Sequence, residues 1–159
     1  YYIGLYDIWS SYKPEDEGVL IAYASIHGNT AKVAKKLGEM LTEKGVKKVV
    51  VSDLAREDMA EVIEDAFRYD RMIVAAASYD AGVFPCMQEF LHHLQSKAYQ
   101  KRKVGIVENG TWSPSAGRTM RGILDSMKDL EIVEPMVTIR STMKQEDMEN
   151  LNQLVEAIL

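Results

Sequence analysis

From Val19 to the end of the chain, short apolar runs alternate with longer amphipathic segments. Val19-Leu20-Ile21-Ala22-Tyr23-Ala24 is unbroken and too short for a helix, the pattern of a strand buried on both faces. From Asn29 to Lys44, Val33, Leu37, Met40 and Leu41 share one helical face, lysines and glutamates cover the other, and Gly45 is placed to end the helix. Val49-Val50-Val51 is short and β-branched, a second strand, and Met59 to Arg68 follows as a second helix. Met72 to Ala77 reads as a third strand, and Pro85 suits the first turn of a helix through Gln95 with Met87, Phe90, Leu91 and Leu94 inward. Val104 to Val107 is a fourth strand, and Ala116 to Leu130 is helical with Met120, Ile123, Leu124 and Met127 inward. Glu131 to Ile139 holds a fifth strand, and Thr142-x-x-Gln145 has the spacing of a capping box opening a helix that buries Met148, Leu151, Val155 and Ile158. Five strands alternating with five helices predict an α/β fold, a doubly wound parallel sheet covered on both faces by right-handed crossovers.

The stretch before Val19 follows another pattern. Tyr2, Leu5, Tyr6 and Trp9 recur at helical spacing, and Lys13-Pro14-Glu15-Asp16-Glu17-Gly18 then breaks it. Two readings stand side by side: residues 1–18 as a linker from an upstream domain, or as a terminal helix packed on this domain's own surface. A chain opening at Tyr1 is expected to be a fragment, with residues 19–159 as its single domain.

Composition narrows the function. At 159 residues one core is sufficient, and no run approaches the roughly 18 apolar residues of a membrane span. A net charge of −5 argues against nucleic acid and suits steering of a basic or metal-containing redox partner. The lone Cys86 makes no internal disulfide, in keeping with a reducing cytoplasm, and the spacing of His27, His92 and His93 suggests no metal site. His92 and His93 read as surface residues, and Cys86 as a packed helix residue.

In a doubly wound sheet, ligands bind outside the carboxyl ends of the strands at the switch point. Three loops leave that edge. Ser25-Ile26-His27-Gly28-Asn29-Thr30 joins a buried strand to a helix, where free N–H groups and the helix dipole favour a phosphate. Ser25, Asn29 and Thr30 add neutral donors, Gly28 allows close approach, and no lysine or arginine is present. The loop is neither Gly-Lys-Ser/Thr nor Gly-x-Gly-x-x-Gly. Ser78-Tyr79-Asp80-Ala81-Gly82-Val83-Phe84-Pro85 follows the third strand, and Glu108-Asn109-Gly110-Thr111-Trp112-Ser113-Pro114-Ser115 the fourth. Trp112, after a glycine turn, suits stacking on a flat ring better than packing.

Ser-x-x-Gly-Asn-Thr resembles the phosphate loop of flavodoxins, usually Thr/Ser-x-Thr-Gly-Asn/Ser-Thr, and His27 departs from it where a hydroxyl residue is common. The second loop resembles the Ser-Thr/Tyr-Asn-Asn-Gly-x-x-Pro stretch beside the flavin in flavodiiron proteins; Gly82 and Pro85 match, whereas Asp80 and Ala81 stand where two asparagines are usual. The third resembles their Gly-Ser-Tyr-Gly-Trp stretch, with Trp112 at the tryptophan. Over Val19 to Leu159 the chain is thus similar to the C-terminal flavodoxin-like domain of flavodiiron proteins. The resemblance implies a five-stranded sheet in the order 2-1-3-4-5 and FMN held by Ser25, Ile26, His27, Gly28, Asn29, Thr30, Tyr79, Asp80, Ala81, Gly82, Asn109, Gly110, Thr111, Trp112 and Ser113. It implies electron transfer within an oxygen or nitric oxide reductase, no catalytic residue in this chain, and a partner such as a di-iron domain or a rubredoxin-like donor. A homodimer formed through the full-length protein is a further expectation. Two rivals remain: an FMN-dependent quinone reductase, and an interaction module that has lost FMN.

Overall fold

The computed structural model describes residues 14–25, 28–79, 82–110, 115–140 and 143–159; only the backbone is described at Tyr79 and Gly82. In chain order the elements are β1 (Asp16–Ala24), α1 (Asn29–Glu43), β2 (Val49–Asp53), α2 (Met59–Arg68), β3 (Tyr69–Tyr79), β4 (Gly82–Val83), α3 (Pro85–Ser96), β5 (Arg102–Asn109), α4 (Ala116–Asp125), β6 (Leu130–Ile132), β7 (Val137–Ile139) and α5 (Gln145–Ile158). The sheet runs β2-β1-β3-β5-β6, with β7 also on β5 and β4 beside β3. All pairings are parallel except β3 with β4. This is the expected doubly wound order, because β6 and β7 together occupy the place of the fifth strand.

Period-two alternation divides the core between the two faces of the sheet. Leu20, Ala22, Ala24, Met72, Val74, Ala76, Val104 and Ile106 face one way, toward Val62 and Ile63 of α2, Met87, Phe90, Leu91 and Leu94 of α3, and Met120 and Leu124 of α4. Val19, Ile21, Tyr23, Ile73, Ala75 and Val107 face the other way, toward Val33, Leu37 and Leu41 of α1 and Leu151, Leu154 and Val155 of α5. Covering both faces is what makes the strands continuous apolar runs. At Gly105 a Cβ would lie 3.0 Å from Leu154 Cδ1, so glycine lets α5 approach β5 closely.

The helix ends follow from local chemistry. Past α1, Val46 N–H donates to Leu41 O and Gly45 N–H to Thr42 O, each at 3.1 Å, with Gly45 at φ 95°. That is a Schellman stop, and Gly45 is the residue that ends the helix. Asp58 caps α2, its Oδ1 accepting from Ala60 N–H at 3.0 Å.

The structure differs from the expectations in five places. α4 stops at Asp125 rather than Leu130, because residues 126–129 turn and Lys101 N–H donates to Asp129 O at 2.9 Å, which sets the start of β6. The fifth strand is split: Val133 to Met136 stand opposite only Gly105 and Ile106, and Pro135 among them has no N–H to give the ladder. α5 opens at Gln145, capped by Asp147, whose carboxylate accepts from Lys144 N–H at 2.8 Å; Thr142 lies outside the described residues. β4 has no counterpart among the predicted elements. Residues 16–18, assigned to the linker stretch, belong to β1; residues 1–13 lie outside the described residues.

Candidate functional site

The register of the three central strands sets the site. Ala24 pairs with Ala76, Ala76 with Glu108, and Ala77 with Asn109, so the loops after β1, β3 and β5 leave the sheet at one level. The chain passes from β1 outward to β2, then returns through β3 toward β5, which places the switch point between β1 and β3.

At the first loop, Gly28 has φ 84° and nothing lies within 4 Å of where its Cβ would be. Its N–H donates to Ser25 Oγ at 3.0 Å, closing the turn. Asn29 opens α1 after Gly28, an N-cap residue with no side chain of its own, and Thr30 is buried at the first turn. A helix N-terminus entered through a glycine, with hydroxyl and amide side chains and no lysine or arginine in the loop, is a donor set suited to a phosphate monoester. Ile26 and His27 lie outside the described residues.

The second loop is a hairpin. Ser78 pairs with Val83 and Tyr79 with Gly82, antiparallel, and Phe84 N–H donates to Ala77 O at 3.1 Å. Asp80 and Ala81, next in sequence after Tyr79, lie outside the described residues. Sequence reasoning missed the role of Ser78. Its Oγ accepts from Ser115 N–H at 2.9 Å and from Ala116 N–H at 3.1 Å, so a residue of β3 serves the start of α4.

At the third loop, Gly110 N–H donates to Ile139 O at 3.0 Å and fixes the loop's base to β7. Thr111, Trp112 and Ser113 lie outside the described residues. Glu108, just before Asn109, is only 3% exposed. Its carboxylate lies against Gly117 and faces the Gly117 N–H and the Thr138 hydroxyl. Burial pushes the Glu108 carboxyl up from its ordinary value, opposed by those two donors and by Arg118. A Cβ at Gly117 would run into this carboxylate. The sequence signal was an acidic residue closing an otherwise apolar strand.

Chemistry elsewhere is structural. Arg102 is buried at the opposite edge and donates to Tyr69 O at 3.0 Å and to Gln100 O and Phe67 O at 2.6 Å, tying α2 to β5. A cleft of about 970 Å³ between α2 and α3, lined by Met59, Ile63, Phe67, Arg68 and Lys97 among others, includes no residue of the three loops. His92 and His93 are exposed, as expected, and His93 approaches Glu89 at 3.7 Å. Cys86 is half-buried, and burial raises its thiol. Among the described residues, no cluster of His, Cys, Asp or Glu could hold a metal, and no helix is long and apolar enough to cross a membrane.

A doubly wound sheet with a helix N-terminus at its switch point and two further loops leaving beside it is the class of α/β domain in which ligands bind at the carboxyl ends of the strands. Within that class, residues 20–151 match the Flavodoxin domain family, and the chain belongs to it. A curated relative, the uncharacterized protein MJ0534 of Methanocaldococcus jannaschii, is 25% identical over 152 residues, 93% of this chain and 38% of the relative. The chain therefore spans well under half of that relative's length. Among solved structures, the rubredoxin oxygen:oxidoreductase of Desulfovibrio gigas superposes with a TM-score of 0.88 at 19% identity, covering 98% of this chain and 38% of that one. The flavodiiron protein of Giardia intestinalis gives 0.84 at 18% identity, with the same coverage of 98% and 38%. A flavodoxin from the domain Archaea gives 0.75 at 19% identity, covering 89% of this chain and 95% of that one.

Proposed function

We propose that this domain binds FMN noncovalently and transfers electrons, as one module of a flavodiiron-type oxygen or nitric oxide reductase. The observation that carries the reading is the N-terminus of α1 at the switch point, entered through Gly28 with nothing within 4 Å of where its Cβ would be, level with two further loops across adjacent strands. Bound FMN would supply the redox chemistry itself. The chain's own residues bind and orient. Free N–H groups of the first turn of α1, with Ser25, Asn29 and Thr30, hold the phosphate through hydrogen bonds, and the helix dipole takes the place of a cation. Tyr79, Gly82, Asn109 and Gly110 border the ring on the two neighbouring loops, and Trp112 stacks on it. No proton-transferring side chain is needed, so the domain carries binding residues only.

A di-iron domain or a rubredoxin-like donor is the partner that this reading assigns, drawn to an acidic chain of net charge −5. The likeness to flavodiiron structures across nearly the whole chain supports the assignment. The test is the visible absorption of the purified protein before and after adding FMN. Flavin bands that stay with the protein through gel filtration support the reading, and flavin that separates completely from it overturns the reading.

A further inference from the structure

The start of α4 is held by its neighbours. Its first backbone N–H groups face side chains from two neighbouring strands. Ser78 Oγ, on β3, accepts from Ser115 and Ala116. The Glu108 carboxylate, on β5, lies against Gly117 and faces the Thr138 hydroxyl of β7. Two successive N–H groups of the helix start are thereby tied to β3, and its next residue packs on the end of β5, the strands from which the second and third loops depart. We propose that Ser78 and Glu108 form a clamp on α4 that fixes the separation of those two loops and so positions the flavin ring. The proposal rests on the FMN reading and extends it to two residues that touch no phosphate.

The geometry supports a positioning role in two ways. Ser78 sits where β3 turns into the hairpin, so losing its hydroxyl detaches the second loop from the base of α4. Glu108 is buried, and Gly117 has no side chain, so the carboxylate reaches the helix directly. Burial raises the Glu108 carboxyl, and above that raised value it is a negative charge facing the start of α4. A fixed negative charge below the third loop then disfavours electron gain by a ring bound above it.

The test uses Ser78→Ala, Ser78→Thr and Glu108→Gln in the full chain. Affinities for FMN and riboflavin are read by flavin fluorescence quenching, alongside amide hydrogen exchange at Ser115 and Ala116. Ser78→Ala should weaken FMN and riboflavin by the same factor, about tenfold, and speed exchange at both amides. Ser78→Thr should restore all three. A loss confined to FMN, or no loss while the unmutated protein binds FMN, overturns the clamp and leaves the FMN reading standing. If the unmutated protein binds neither flavin, the FMN reading falls and the clamp falls with it. Glu108→Gln keeps the shape and an oxygen facing Gly117, so it serves if Ser78→Ala does not fold. At pH 8 it should move the potential of bound FMN to more positive values. An unchanged potential overturns the role given to Glu108.

Discussion

Gly117→Ala is a substitution whose sign the structure reverses. In an exposed helix interior, alanine for glycine gains about 1 kcal/mol. Here the new methyl runs into the Glu108 carboxylate and comes within 2.7 Å of Met136 Sδ. Met136 is flexible and can yield, but Glu108 is enclosed by β5, β7 and α4. Forcing the carboxylate aside costs about 1–3 kcal/mol of overpacking. Moving it away from the Gly117 N–H that faces it leaves a buried polar group less well solvated, at about 1–3 kcal/mol more. Against the propensity gain, the net loss is about 1–5 kcal/mol, centred near 3. For a domain of this size that lowers the melting midpoint by about 6–12 °C. In a Glu108→Ala background the obstacle is gone, and the same substitution should stabilise by about 1 kcal/mol. Urea denaturation of the four proteins completes the cycle. If Gly117→Ala stabilises the unmutated protein, the carboxylate does not sit against α4 and the reasoning fails.

Trp112→Ala should weaken FMN binding about tenfold, about 1.4 kcal/mol, with the fold intact; unchanged affinity in a fluorescence titration removes Trp112 from the site. The Glu108 carboxyl is raised in the folded state, so the native protein holds that proton more tightly than the unfolded chain does. Its contribution to stability is therefore fully present below the ordinary value of 4.5 and is lost as pH rises from there through the raised value. Unfolding free energies of the unmutated protein and of Glu108→Gln should diverge over that window, with the unmutated protein losing ground as pH rises; parallel curves contradict the assignment.

Much of the fold was legible because strands buried on both faces leave unbroken apolar runs, as at Val19–Ala24 and Met72–Ala77, and helices leave stripes, as at Val33, Leu37 and Leu41. The expected α4 ran too long because Met127 and Leu130 continue its spacing, although both pack against the core from beyond the helix end. Two residues carry no periodicity, so β4 left no signal. The three loops could be placed because each follows an apolar run, and the strand register then sets their stems level. The role of Ser78 was not legible, because its partners lie 37 and 38 positions away and no local pattern encodes such contacts; Glu108 left only the signal of an acidic residue closing an apolar strand.

The phosphate loop is the part of the account on which the rest depends, and the affinity ratio of FMN to riboflavin tests it most directly. Several charge-assisted hydrogen bonds at about 1.5–3 kcal/mol each make FMN at least about a hundredfold the tighter ligand. Thr30→Ala should shrink that advantage while leaving riboflavin affinity nearly unchanged. Equal affinity of the unmutated protein for FMN and riboflavin would contradict the phosphate site at the start of α1 and, with it, the flavodoxin-type reading of the cofactor edge.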